Sequence, residues 1–381
     1  MSGTPLTLAR HEEAERRGHD VLQALLSTAQ DAAGDVWRGA ALGGRYGHGE
    51  GWIAGVGPEL ADPFELVVVV NVPLREVGPL QKRVRRAARE TARVRQVAAI
   101  VDVFAAESLP FLPATLEVKE ALSAANVVDG PADLLAPARC PDDTPARLEA
   151  LRLLVRHGAS LLARERALDQ SGEGDTVTRA RFAVRDLDLA LGEALLLSAG
   201  AWTPGDGARA AALRHLASGS AAATGFQRHM TWTRFHDLVE RHRRALYERA
   251  RSGAEAPSAI GEARKEVARA ADRFMEVLRL SEEERLGEPL PSWSAYARAL
   301  AKRRPARGAM LFASDSNELT DLLSRKGSKT WPAAERLAPA LAALLDWDPG
   351  DLPLAPLLLD LPDDASRDAL RVRAVSLSAD V

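Results

Sequence analysis

A glycine-rich turn that leads to an unbroken β-branched strand constrains the fold of this chain more than any other feature. Residues 67–70 are all valine, without polar alternation, which predicts a strand buried on both faces. The turn, residues 43–51, contains five glycines, and glycine lets backbone N–H groups come close to phosphate oxygens. Asp62 and Glu65 lie at the entrance of the strand, where a metal ion bridging a triphosphate would bind.

Composition sets the class of protein and its compartment. A chain of 381 residues with a net charge of −3 predicts two globular domains without a global attraction to nucleic acid. Cys140 is the only cysteine, which excludes an intrachain disulfide and a cysteine-built zinc site and fits a reducing compartment. There is no apolar run of about 18 residues, and the charged first 17 residues lack a signal core. We therefore expect a cytoplasmic protein without a membrane span.

Hydrophobic periodicity predicts an α+β fold with two domains. Residues 1–136 alternate helices with short strands and predict a small sheet, parallel or mixed, whereas residues 146–381 predict a mostly helical domain. The proline-rich segment 137–145 predicts the boundary. The predicted strands are 36–42, 67–70, 98–104 and 127–128, and the predicted helices are 8–33, 76–96, 114–125, 145–168, 177–199, 209–217, 226–251, 258–280 and 292–303. For the tail, 331–361, we expect short helical pieces at most, because it is rich in proline.

Several short motifs occur in an order that is informative as a set. The three main ones are Leu42-Gly43-Gly44, Pro63-Phe64-Glu65-Leu66 and Val101-Asp102-Val103. Further motifs lie at 47–51, 112–117, 127–130 and 193–202. Over residues 35–205 this order resembles the nucleotidyltransferase superfamily, the fold shared with DNA polymerase β and the kanamycin nucleotidyltransferases. That family places a Gly-Gly or Gly-Ser turn before an acid pair at the start of an apolar strand, with a third acid on a later strand.

The resemblance implies a function and a role for each matching residue. An active member would transfer a nucleoside monophosphate from an NTP to a hydroxyl on a small molecule, an RNA or a protein. The implied nucleotide-binding residues are Gly43, Gly44, Arg45, His48 and Gly49. The implied catalytic residues are Glu65 and Asp102, which with Asp62 would hold Mg²⁺.

The chain departs from the family pattern at the first acid position. Pro63 stands there and supplies no metal ligand, while Asp62 lies one residue early. This substitution favours a catalytically degenerate relative over an active enzyme that uses Asp62 as a shifted ligand. A non-catalytic module that senses a nucleotide, or binds a protein partner through the helical domain, is the competing class.

Two further features leave alternatives open. The basic segment 82–95 is either a surface that binds phosphate or RNA or an ordinary solvated helix face. The solvated face is favoured, because no aromatic residues lie among the basic ones, as they often do in RNA-binding surfaces. Some nucleotidyltransferase relatives carry a helical ribonuclease module with an Arg-x4–6-His motif. The pairs Arg152–His157 and Arg209–His215 match that motif, although chance matches are expected in an arginine-rich chain. The histidines of residues 229–242 are expected to be exposed or to face a partner.

Overall fold

A computed structural model describes residues 5–378, apart from 8–9, 55–58, 61, 113–115, 124, 139–145, 171–173, 220–229, 252–258, 293–294, 297–298, 301–332, 347–353 and 363. The chain divides into two compact units. The N-terminal unit comprises Met1–Thr144, Thr203–Arg209 and Leu246–Glu255, and the C-terminal unit comprises the remainder. The predicted boundary loop lies mostly in 139–145, outside the described residues, so it stays a prediction.

The N-terminal unit contains a small mixed sheet with helices, as expected for an α+β fold. Its helices are α1 (Glu12–Ala33), α2 (Gly44–His48), α3 (Leu74–Val94) and α4 (Leu116–Ser123), with a 3₁₀ segment at Ala106–Phe111. Its strands are β1 (Trp37–Gly43), β2 (Ile53–Ala54), β3 (Glu59–Leu60), β4 (Phe64–Val70), β5 (Ala99–Ala105) and β6 (Asn126–Asp129). The predicted helices and strands agree with α1, α3, α4 and the four longer strands to within a few residues. Helix α2, the short strands β2 and β3 and the 3₁₀ segment were not predicted.

The four longer strands form one sheet in the order β5–β4–β1–β6. β1 runs antiparallel to β4 and β6, whereas β4 and β5 are parallel. Helix α3 makes the crossover between β4 and β5, as a parallel pair requires. The sheet is therefore mixed. In this register Gly43 lies opposite Glu65, and Val67 lies opposite Asp102.

The two faces of this sheet are covered by different helices. Helices α1 and α3 pack on one face, against Leu66, Val68 and Val101 among others. Helix α4 and the 3₁₀ segment cover the other face, around Val69. Because side chains alternate along a strand, Glu65 and Asp102 both point to the α4 face.

The structure corrects the prediction that residues 43–51 form a glycine-rich turn without a helix of their own. Residues 44–48 form the short helix α2, and Gly49 ends it in the left-handed conformation, with φ of 71°. The helix forms despite its low helix propensity because Tyr46 is buried and stacks on Phe64, with ring centroids 4.4 Å apart. Tertiary packing thus overrides the local preference.

The C-terminal unit is helical in its described residues. The helices from 146 onward are α5 (Ala146–Gln170), α6 (Gly174–Ser198), α7 (Asp206–Ala217), α8 (Trp232–Arg251), α9 (Ile260–Leu286), α10 (Ala333–Asp346), α11 (Leu354–Leu359) and α12 (Arg367–Ser378). The first turn of α7 and the last residues of α8 belong to the N-terminal unit. Helices α5, α6 and α9 pack together as the core. Of the predicted helix 292–303, residues 295–296 and 299–300 are helical, and the others are irregular or outside the described residues.

Two expectations for this unit are wrong. Helix α10 has 14 residues, with Pro339 inside it, whereas the tail was expected to hold only short helical pieces. Burial of its apolar side chains, among them Leu337 and Leu341, outweighs the cost of the proline. His242 is buried, with Nδ1 3.2 Å from the carbonyl oxygen of Leu189. His236 is exposed as expected, and His229 lies outside the described residues.

Candidate functional site

The Gly43–Gly44 turn and Glu65 meet at one end of the sheet. Gly43 ends β1 directly opposite Glu65 on β4, and Gly44 follows with φ of +58°. A methyl group added at Gly44 would lie 2.5 Å from Glu65 Oε1, so the carboxyl group lies directly against the turn. Gly43 is closed in by α4, because a methyl group there would lie 2.7 Å from the carbonyl oxygen of Ala121. The glycines are therefore required by packing within the protein itself.

Replacing Gly44 by alanine tests this close approach. The new methyl group would collide with Glu65 and adopt an unfavourable positive φ, so we expect the free energy of unfolding to fall by about 2 kcal/mol. Urea denaturation measures the change. Gly78→Ala is the matched control, because Gly78 lies on exposed α3 with open space around it and should not lose stability. A loss at Gly44 no larger than at Gly78 would contradict the geometry.

Glu65 lies in a partly buried, acidic environment. Burial raises the pKa of Glu65 to about 7, and Arg45 opposes this rise. The carboxylates of Glu120, Asp102 and Asp62 raise the pKa further. At neutral pH the carboxyl group is therefore only partly ionised, which makes it a weaker metal ligand than an ordinary glutamate.

Asp102 is placed on the same face of the sheet as Glu65 but is engaged by a basic side chain. Its Oδ1 accepts a hydrogen bond from Arg85 Nη2 at 2.6 Å, and both side chains are about two-fifths exposed. Arg85 also donates from Nε to the carbonyl oxygen of Val101. Asp102, the third of the predicted metal-binding acids, is thus held by Arg85 of α3 at the edge strand β5.

Asp62 is buried in an ion pair with Arg45. Arg45 Nη1 donates to Asp62 Oδ1 at 2.8 Å, and its Nε donates to Asp206 Oδ2 at 3.0 Å. The guanidinium also lies over the ring of Trp52, 5.5 Å from its centroid. Burial raises the pKa of Asp62, and Arg45 opposes this effect. Arg45, which the family resemblance implies as a nucleotide-binding residue, therefore already neutralises two carboxylates.

The glycine-rich segment also fixes the start of α7. Glu50 accepts hydrogen bonds from the backbone N–H groups of Asp206 at 2.7 Å and Gly207 at 3.1 Å. These N–H groups begin α7 and have no partner within the helix, so a carboxylate stabilises them. The predicted loop residue Glu50 consequently has a structural partner more than 150 positions away.

Arg209 forms the centre of a second ionic group beside this helix start. Its Nη1 donates to Glu120 Oε2 at 2.9 Å, and its Nη2 donates to Asp206. The Arg209 side chain is 5% exposed. His48 Nε2 lies 3.8 Å from the other oxygen of Glu120. The candidate phosphate ligand His48 therefore lies beside an acid, which disfavours an anion at that nitrogen.

The sequence motifs identify only part of this site. They predict Gly43, Gly44 and Glu65, which the structure brings together. They miss Glu120 and Asp206, whose roles depend on contacts between segments about 85 to 160 positions apart. The regular spacing of helical residues carries no signal for such pairs. The Gly-Glu-Gly sequence at residues 49–51 does mark Glu50, which binds the backbone of Asp206 and Gly207.

The three predicted Mg²⁺ ligands do not form a metal site as they stand. Asp62 is paired with Arg45, Asp102 is paired with Arg85, and Pro63 supplies no oxygen from a side chain. Within the residues that the structure describes, there is no group of three or more His, Cys, Asp or Glu side chains suited to a metal ion. Magnesium binding stays a prediction that requires one of these acids to leave its arginine.

The arginines of the two Arg-x4–6-His matches form ion pairs within the protein. Arg152 Nη1 donates to Glu149, one turn earlier on α5. His157 is partly buried, and this desolvation lowers its pKa to about 4. Arg209 lies in the ionic group described above, and His215 is exposed. A structural role explains Arg152 and Arg209 without invoking catalysis.

Comparisons of this chain with protein-family models, curated proteins and solved structures gave no match. No helix among the described residues is long and apolar enough to cross a membrane. A function for the chain therefore has to be inferred from its own residues.

Proposed function

We propose that the N-terminal unit is a nucleotidyltransferase-like domain that binds a nucleotide at the Gly43–Gly44 turn but does not transfer it. One observation carries this proposal. The turn lies directly against Glu65 at the entrance of β4, while Pro63 occupies the first acid position and Arg45 holds Asp62. The site thus keeps the turn of the family pattern and lacks the pattern's set of metal ligands.

The order of elements supports the family part of the proposal. A Gly-Gly turn follows β1, an acid begins the apolar strand β4, and a third acid lies on the neighbouring strand β5. The family pattern requires these features in this order. Glu65 and Asp102 share one face because Ile100, the partner of Glu65, lies two residues before Asp102.

The ionic partners support the non-catalytic part. Nucleotidyl transfer by this family depends on metal ions between the triphosphate and the attacking hydroxyl. Two of the three candidate ligands are paired with arginines, and burial raises the pKa of Glu65 to about 7. A nucleotide would instead contact backbone N–H groups of the turn, which bind phosphate oxygens without a metal.

An active transferase is the second candidate, and one observation favours it. Glu65 and Asp102 point to the same face of neighbouring strands, and the Asp102 side chain is about two-fifths exposed. Movement of Arg85 away from Asp102 would then leave two acids near the turn. The acceptor would be a hydroxyl on a small molecule, an RNA or a protein.

Pyrophosphate release separates these two functions. We expect the wild-type chain to release no pyrophosphate above a protein-free background from any of the four NTPs with Mg²⁺. Glu65→Gln and Glu76→Gln are compared with it, because Glu76 is an exposed glutamate on α3. Release that is lost in Glu65→Gln and kept in Glu76→Gln would overturn the non-catalytic proposal and establish an active enzyme.

A further inference from the structure

Helix α3 carries a row of basic side chains on the face opposite to its buried side. Its buried residues are Val77, Leu80, Val84, Ala88 and Ala92. The exposed row, which we call the α3 stripe, consists of Arg75, Lys82, Arg86, Arg89 and Arg93. At 100° per residue these five positions fall within an arc of about 60°, centred opposite Val84. With about 1.5 Å per residue, the stripe is about 27 Å long.

The stripe has little compensation from acids. Arg75 pairs with Glu76, and Arg93 pairs with Glu90, but the described residues contain no ion pair of the three central cations Lys82, Arg86 and Arg89. On the helices of the C-terminal unit, exposed cations often have an acid one turn away, as in Lys265 with Glu262. Like charges one turn apart destabilise a helix, so the stripe does not serve the stability of α3.

Other basic residues of α3 differ from the stripe because they bind the protein itself. Arg83 Nε donates to the carbonyl oxygen of Ala32, and Arg85 binds Asp102 and Val101. They lie on the flanks of the helix and have structural partners. Packing within the unit therefore explains the flanks and leaves the stripe unexplained.

The composition of the stripe indicates the chemistry of its partner. Four of its five cations are arginines, whose planar guanidinium groups bind phosphate oxygens in pairs. A bilayer surface would require apolar side chains on the same face, but the exposed Leu74 and Val94 lie about 60° and 80° outside the arc of the row, on opposite sides of it. A protein interface would require a buried aromatic or apolar anchor, which the stripe does not contain.

We propose that the α3 stripe binds the phosphodiester backbone of RNA or DNA, without reading its sequence. Charges repeat along the straight stripe with the turns of the helix, so several can meet successive phosphates of one strand. The stripe has no aromatic side chain on which bases would stack, so the contacts are made to the backbone. The net charge of −3 gives the chain no global attraction to nucleic acid, so the attraction has to be local.

The test is fluorescence anisotropy with labelled mixed-sequence 20-nucleotide RNA and DNA, single-stranded and duplex, over a series of salt concentrations. We expect binding whose affinity falls steeply with salt, with a slope of about −0.9 for each phosphate contacted in a duplex. The triple variant Lys82→Glu/Arg86→Glu/Arg89→Glu should bind at least tenfold more weakly and reduce the magnitude of that slope by about 3. The RNA and DNA arms identify which nucleic acid is preferred.

A matched control triple variant changes the net charge by the same amount, at exposed arginines that lie outside the α3 stripe. Arg16→Glu/Arg214→Glu/Arg244→Glu serves this purpose and should retain the wild-type salt slope. If the glutamate variant does not fold by circular dichroism, the corresponding triple glutamine variant replaces it. Equal weakening by both triple variants would overturn the proposal, as would binding to phosphatidylserine vesicles but to no nucleic acid.

This inference does not depend on the proposed nucleotide site. Glu65→Gln changes the Gly43–Gly44 site and leaves the stripe intact, so it should bind nucleic acid as the wild type does. Loss of nucleic-acid binding in Glu65→Gln would overturn the assignment to α3. If the chain binds nucleic acid but no NTP, the proposed nucleotide site is overturned and the assignment to the α3 stripe stands.

Discussion

Replacing Glu65 by glutamine is expected to raise the free energy of unfolding by about 3 kcal/mol at pH 8 and to leave it almost unchanged at pH 4. The physical reason is burial, which raises the pKa of Glu65 from 4.5 to about 7 in the folded protein. Between these two values the folded state holds a proton that the unfolded state has released. The free energy of unfolding of the wild-type protein therefore falls as the pH rises from about 4.5 through about 7, whereas that of the variant with the neutral glutamine does not.

Urea denaturation from pH 4 to pH 8 measures this difference. Glu76→Gln is the control, because Glu76 is exposed on α3 and its replacement should alter stability little at any pH. If the free energies of unfolding of wild type and Glu65→Gln differ by the same amount at every pH, the burial that raises the pKa of Glu65 is contradicted.

Replacing Arg209 by methionine is expected to lower the free energy of unfolding by about 3 kcal/mol at neutral pH. Arg209 is the shared partner of Glu120 and Asp206, whose side chains are 20% and 10% exposed. Removing the cation leaves Glu120 without its arginine partner and leaves Asp206 paired with Arg45 alone. The urea midpoint at pH 7 reports the loss.

The control for this variant is Arg214→Met on the same helix, where the side chain is exposed and little effect is expected. Arg209→Met with Glu120→Gln should recover part of the loss, because one of the stranded charges is then absent. An Arg209→Met variant as stable as Arg214→Met would contradict the structural role. RNA cleavage by the wild type that Arg209→Met abolishes would instead favour the ribonuclease alternative.

The sequence predicts the sheet of the N-terminal unit well because its strands have strong local signals. The valines of β4 are buried on both faces, and the turn before them is rich in glycine. The length of α3 follows from its apolar spacing, and its basic residues predict the exposed face. The sequence does not decide whether the whole sheet is parallel or mixed, because a crossover helix between two of its strands fits both.

The parts that the sequence does not predict depend on distant contacts. Helix α2 forms because Tyr46 stacks on Phe64, and α10 forms around Pro339 because its apolar residues are buried. The partners of Arg45 and Glu50 on α7 are about 160 positions away. No local spacing encodes these pairs, so the sequence does not predict that Arg45 is held in ion pairs with Asp62 and Asp206.

Calorimetric titration with non-hydrolysable analogues of the four NTPs, with Mg²⁺ and with EDTA, tests the central claim most directly. The account predicts binding of one nucleotide per chain, with similar affinity in Mg²⁺ and in EDTA, because the described acids do not form a metal site. Glu65→Ala should retain this binding. Binding that requires Mg²⁺ and is lost in Glu65→Ala would contradict the account in favour of an active metal site, and no binding under either condition would contradict nucleotide recognition itself.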